Sequence, residues 1–165
     1  MKNPSLLYLF LLTIIVFTSC DKQDSLSPQL VPVTKLSYIS FNQDTLPVTL
    51  SITNARKENV GSLLATAIEG KLPDSFFRKN NLIIRVTGDS ARPYRNTEIF
   101  VSYTDSSGNT YSNDIADTIN TVRLTKVEKI KDGIVEGNFT IRVSNFTKSK
   151  TLMLNNGKFS TIFFE

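Results

Sequence analysis

"GNFTIRVSN", residues 137–145, sets Phe139, Ile141 and Val143 on every second position with polar residues between them. Side chains two apart share one face of a strand but diverge on a helix, so the stretch predicts a half-buried β-strand. The same period recurs on either side. Leu46, Val48, Leu50 and Ile52 alternate, then Leu82, Ile84 and Val86, then Ile99, Val101 and Tyr103. Val122 and Leu124 follow, and beyond 145 come Leu152, Leu154, Phe159 and the apolar end "TIFF" (161–164). Turn signals at "DSSGN" (105–109), "KDG" (131–133) and "NNGK" (155–158) separate these runs. Short strands spaced this way predict a mostly β fold over residues 34–165, an antiparallel β-sandwich or flattened β-barrel.

One stretch resists the pattern. "GSLLATAIEG" (61–70) has Leu63, Leu64, Ala67 and Ile68 at helical spacing, Ser62 as an N-cap and Gly70 as a stop. Alternation through Leu64 and Ile68 also permits a strand, so the fold has room for one short helix here. "PDSFFRKN" (73–80) could add a helical turn. Among the glycines, Gly157 stands where an Asn-Gly turn needs a positive φ. Gly137 opens a strand and marks a bulge or a close backbone contact.

The chain has 165 residues and a formal net charge of +4, with its charges interspersed. The nearest basic cluster, Lys148-Ser149-Lys150, reads as a solvated turn, and no stripe suggests a nucleic-acid partner. There is no His and no Trp. The lack of His excludes Ser-His-Asp triads, Cys-His pairs and His-ligated zinc. The lack of Trp removes a common sugar-stacking platform. No phosphate-loop, nucleophile-elbow or other cofactor motif is present. No cofactor and no metal are expected, and the chain does not read as an enzyme.

The single cysteine, Cys20, sits in "TIIVFTSCDKQD" (13–24). Before it, Lys2 precedes a twelve-residue apolar run, Leu6 to Phe17. That run is short for a bilayer-crossing helix and fits the hydrophobic region of a secretory signal. Phe17-Thr18-Ser19-Cys20 resembles the lipobox of bacterial lipoproteins: an apolar residue, two small ones, then cysteine. The resemblance implies cleavage between Ser19 and Cys20, with a diacylglycerol joined to the Cys20 sulfur. It implies a signal peptide at 1–19 and a lipidated cysteine with a tether at 20–33. The tether, "DKQDSLSPQLVPV" (21–33), is polar, holds two prolines and has no period. With no second cysteine, an internal disulfide is impossible, so Cys20 has no structural partner within the chain.

The C-terminal third, "VRLTKVEKIKDGIVEGNFTIRVSN" followed by "KTLMLNNGKFSTIF", resembles small lipoproteins of Bacteroidota annotated only as domains of unknown function. Gly137 and Phe139 match one signature, and Gly157 and Phe159 match a second. The resemblance covers about residues 97–164 together with the lipobox. It implies a β fold in the cell envelope, lipid-anchored in the outer membrane on its periplasmic or cell-surface face. It carries over no catalytic residue. An O-glycosylation motif of the same bacteria, Asp, then Ser or Thr, then an apolar residue or Thr, resembles four triplets here whose third residue is aliphatic. Their hydroxyls belong to Ser25, Thr45, Ser90 and Thr118, where composition alone gives about one match.

The expected function is therefore a membrane-anchored, non-catalytic binding or interaction module. It would be held to the bilayer through the Cys20 acyl chains and could engage a glycan or an envelope protein. "DSARPYRN" (89–96) is the candidate binding loop, where Arg92, Tyr94 and Arg95 could recognise carboxylates. Two alternatives remain: a structural subunit of an envelope complex, and a glycan hydrolase. The second would draw a carboxylate pair from Asp114, Asp117, Glu128 and Glu136.

Overall fold

The computed structural model describes residues 36–73 and 79–164. The expected signal, the lipidation and cleavage positions Ser19 and Cys20, the tether with Ser25, and most of the "PDSFFRKN" turn lie outside the described residues. The fold is mostly β. Its strands are β1 (Tyr38–Gln43), β2 (Leu46–Leu50), β3 (Ile52–Val60), β4 (Leu63–Lys71), β5 (Asn81–Thr87) and β6 (Pro93–Arg95). They continue with β7 (Ile99–Thr104), β8 (Thr110–Asn113), β9 (Thr121–Val127), β10 (Ile134–Asn145) and β11 (Lys150–Phe164). Three-residue 3-10 turns occupy Asn96–Glu98 and Phe146–Lys148.

Hydrogen bonding makes two layers. One runs β2-β1-β11-β10-β9-β6 and the other β3-β4-β5-β7-β8. They join at two seams: Val143 and Ser144 of β10 pair with Asn113 and Ser112 of β8, and Phe163 and Phe164 of β11 pair with Ala55 and Arg56 of β3. The circuit β11-β3-β4-β5-β7-β8-β10 therefore closes on itself, which is a flattened barrel. Every step in it is antiparallel except β11–β3, which is parallel. The parity requires this. Seven strands can close only if the number of direction reversals is even, so an all-antiparallel ring of seven is impossible.

The core lies between the layers, and the alternation read from sequence defines it. Leu82, Ile84 and Val86 are buried on β5; Ile99, Val101 and Tyr103 on β7; Phe139, Ile141 and Val143 on β10. Across the gap the Phe41 ring meets Tyr103 edge-on at 5.7 Å, a favoured aromatic geometry. Gly70 of β4 faces Ile39 and Leu50 of the opposite layer, where an added Cβ would lie 2.7 Å from Ile39 Cδ1.

The ambiguous 61–70 stretch is a strand. Gly61, at φ +63, leads a two-residue turn that starts the β3–β4 hairpin, so Ser62 caps no helix. Nine cross-strand pairs then run from Val60↔Leu63 to Ile52↔Lys71. β4 is buried on both faces: Thr66 and Ile68 point one way, Ala65 and Ala67 the other. The outer alanines lie beside Arg56, Glu58 and Arg85, whose side chains pair with one another. A strand covered on both sides has no polar face to alternate with, which is why its sequence also suited a helix.

"NNGK" is not a turn between strands. β11 runs through it unbroken as a β-bulge: Phe139 pairs with Gly157 but Ile141 pairs with Leu154. The extra residue flips the parity of the buried positions from Leu152 and Leu154 to Phe159, Thr161 and Phe163. Asn156 carries the positive φ, +52, rather than Gly157. The reading of Gly137 holds: the β9 register slips beside it and an added Cβ would strike the Arg123 carbonyl oxygen.

Candidate functional site

The expected binding loop is largely a structural element. Residues 93–95 form β6, a short outer strand paired to β9 through Pro93↔Arg123, Tyr94↔Val122 and Arg95↔Thr121. Tyr94 points inward and is fully buried. Its hydroxyl donates to the Ser90 carbonyl at 2.8 Å and accepts from the Ser90 N–H at 3.1 Å. That bond to the backbone four residues upstream is the geometry of the tyrosine corner of sandwich domains. Tyr94 is thus a core residue and presents nothing to a partner. The sequence hid this because Tyr94, among Arg92, Pro93 and Arg95, looks solvent-facing, whereas strand alternation turns only the central residue of Pro93-Tyr94-Arg95 inward.

Arg92 is committed nearby. Its guanidinium lies 3.9 Å from the centre of the Tyr94 ring and bonds Glu98 at 2.5 and 3.3 Å. The hydrogen bond to Glu98 raises the Arg92 pKa, and the Arg92 hydrogen bond lowers that of Glu98. The pair is partly exposed, so solvent screens most of its energy. Arg95 is exposed, and its N–H donates to Glu98 at 3.2 Å.

The three described hydroxyls of the Asp-Ser/Thr triplets, Thr45, Ser90 and Thr118, all lie exposed in turns or loops. Each preceding aspartate has a structural task. Asp44 accepts the Met153 N–H at 2.9 Å, Asp89 pairs with Lys129 at 3.0 Å, and Asp117 accepts the Ile119 N–H at 3.0 Å and Arg142 at 3.2 Å.

The four carboxylates considered for acid–base chemistry are likewise engaged. Asp114 accepts the Ala116 N–H, Glu128 accepts the Ile134 N–H and pairs with Lys126, and Glu136 lies 3.3 Å from the Ser160 hydroxyl. Asp105, in the "DSSGN" turn, is a buried carboxylate that the sequence reading took only as a turn signal. Burial pushes its pKa up. Hydrogen bonds from Asn109, Tyr111 and Ser107 outweigh that, and the net shift is down. Its role is to tie the β7–β8 turn. Among the described residues no group of three or more potential ligands is placed to hold a metal ion, and no helix is long and apolar enough to cross a membrane.

An open surface among the described residues lies elsewhere, at the parallel β3–β11 seam. Arg56, Lys57, Phe163 and Phe164 line a groove of about 440 Å³ whose walls are mainly apolar. Phe163 is buried with the Lys57 ammonium 5.8 Å from its ring centre, while Phe164 is 57% exposed. The sequence reading took "TIFF" only as an apolar end. Its signal was the doublet itself: two consecutive Phe residues on one strand cannot share a face, so they point to opposite sides of the sheet. Register gathers further apolar side chains at the same end of the fold. Tyr38 pairs with Ser160 and Ile134 with Ile162, so Leu36 and Ile130 lie near the end of β11. β3 runs parallel to β11 and overshoots it, which carries Val60, Leu63 and Leu64 to that end too. All of these are exposed.

No family model, no curated protein and no solved structure matches this chain.

Proposed function

We propose that this protein is a lipid-anchored lipoprotein of the bacterial envelope whose β body is a non-catalytic binding module. The observation that carries the binding part is the groove of Arg56, Lys57, Phe163 and Phe164. It sets Arg56, paired with Glu58 and Glu69, and Lys57, paired with Asp89, beside aromatic surface in an open site rather than two carboxylates facing each other in a deep cleft. The anchoring part rests on Phe17-Thr18-Ser19-Cys20 and the apolar run before it. One acyl chain holds a protein to a bilayer only marginally, and two or more hold it stably.

Two measurements test this. Cys20→Ala should move the protein from the membrane fraction to the soluble fraction and abolish incorporation of labelled fatty acid. Capture from solubilised envelope should recover a component that the wild type retains and Phe164→Asp loses. A wild-type chain that carries no lipid, or capture unaffected by that substitution, would overturn the corresponding half.

Modification of at least one of Ser25, Thr45, Ser90 and Thr118 belongs to the same reading. The exposure of Thr45, Ser90 and Thr118 in turns supports it, since a transferase needs an accessible hydroxyl. Intact mass decides: lipid mass with nothing beyond it rejects glycosylation.

A further inference from the structure

The apolar end of the fold is also the end at which the chain enters it. Leu36 lies two residues before β1, whose first pair, Tyr38↔Ser160, is four residues from the end of β11 at Phe164. Six of the eleven large hydrophobic residues exposed in the described part share this end: Leu36, Val60, Leu63, Leu64, Ile130 and Phe164. The loop bearing Ile130 is fastened to β11 there, because the Asp132 N–H donates to the Phe163 carbonyl and the Phe163 N–H donates to the Gly133 carbonyl. Lys57 and Lys129 flank the patch and share Asp89.

We propose that this end is a membrane-docking surface, and that the bilayer holding Cys20 is its partner. The inference rests on the anchoring read from the lipobox. Residues 21–35 separate Cys20 from Leu36. Fifteen residues reach at most about 50 Å. The attachment point therefore keeps this end, rather than the Leu46 end, nearest the lipid. Tethering makes docking an intramolecular event at millimolar-scale effective concentration, so apolar contacts too weak to recruit a free protein suffice. Phe164 and Ile130 enter the boundary between headgroups and acyl chains. Lys57 and Lys129 keep their stems on the apolar surface with the ammonium groups among lipid phosphates. The patch includes the groove of the proposed binding module, so docking makes the bilayer what that surface takes; a second protein covering it is the other outcome, and protein-free vesicles separate the two.

The chain contains no Trp, so one introduced indole reports one site. Full-length lipidated Phe164→Trp, Ile130→Trp and Leu46→Trp would each be reconstituted into phosphatidylethanolamine–phosphatidylglycerol vesicles with and without brominated acyl chains. Flotation first reports the anchor: protein that fails to float with vesicles removes the lipoprotein reading, and the docking inference with it. For protein that floats, bromolipid should quench Phe164→Trp and Ile130→Trp several-fold more than Leu46→Trp, with blue-shifted emission. Equal, water-like emission at all three sites overturns docking while leaving the anchor intact. Quenching strongest at Leu46→Trp overturns it as well.

Discussion

The ring of Phe139 occupies the space that a side chain on Gly157 would fill. The two are cross-strand partners, and a Cβ at Gly157 would sit 2.5 Å from three ring atoms of Phe139. The relation is reciprocal two residues away: Gly137 pairs with Phe159, whose Cζ would lie 2.5 Å from a Cβ at Gly137. The two rings stack with centroids 6.4 Å apart. A Gly-x-Phe on each of two antiparallel neighbours produces this swap whenever the register sets each Gly opposite the other strand's Phe. Each ring then covers a glycine that would otherwise weaken the sheet.

Gly157→Ala and Gly137→Ala should therefore each destabilise the fold by about 1–3 kcal/mol, the usual cost of overpacking. Urea unfolding should show a lower midpoint with an unchanged slope. Adding Phe139→Leu should recover part of the loss in Gly157→Ala and none of it in Gly137→Ala. Equal recovery in both would contradict the pairwise fit.

Tyr94→Phe should cost about 1 kcal/mol, since it removes the hydroxyl that joins both the N–H and the carbonyl of Ser90. Arg92→Ala should cost less than about 1 kcal/mol, because its ion pair and ring contact are partly exposed. The order of the two unfolding midpoints checks this, and reversal would make Arg92 the structural residue.

Two groups should shape the pH dependence. Asp105 has a folded pKa below its ordinary value, so its contribution is present above the unfolded carboxylate pKa of about 3.9. It fades as pH falls through the folded value. Asp105→Asn should flatten the acid limb of stability against pH. Tyr103 is pushed up to about 12 by burial first and then by the Asp105 and Tyr111 charges. Its contribution is present below the unfolded value of about 10 and is lost as pH rises through about 12. Spectrophotometric titration should show a late phenolate that Tyr103→Phe removes.

The outermost strands of the first layer, β2 and β6, each contain a proline, Pro47 and Pro93. Proline withholds the N–H that a neighbouring chain would pair with, a common protection for sheet edges. Pro47→Val should promote self-association, with Leu46 at 66% exposure beside the newly competent edge. Sedimentation velocity over a range of concentrations measures it; a distribution unchanged from the wild type would assign the protection to other features.

The sequence by itself determined the β class, the inward faces of β5, β7 and β10, and the turns at 105–109 and 131–133, because alternation and turn chemistry are local. The expectation of an anchor at Cys20 likewise comes from local residues alone. The tertiary structure decided what depends on partners far along the chain. Leu63–Lys71 became a strand because both of its faces found cover, and "NNGK" became a bulge because β10 continued to pair on either side of it. Tyr94 went inside because β6 docked on β9, and the ring of seven closed through one parallel pair at Phe163 and Phe164. Periodicity specifies which side chains share a face, whereas the occupant of that face is set by long-range pairing, which no local pattern encodes.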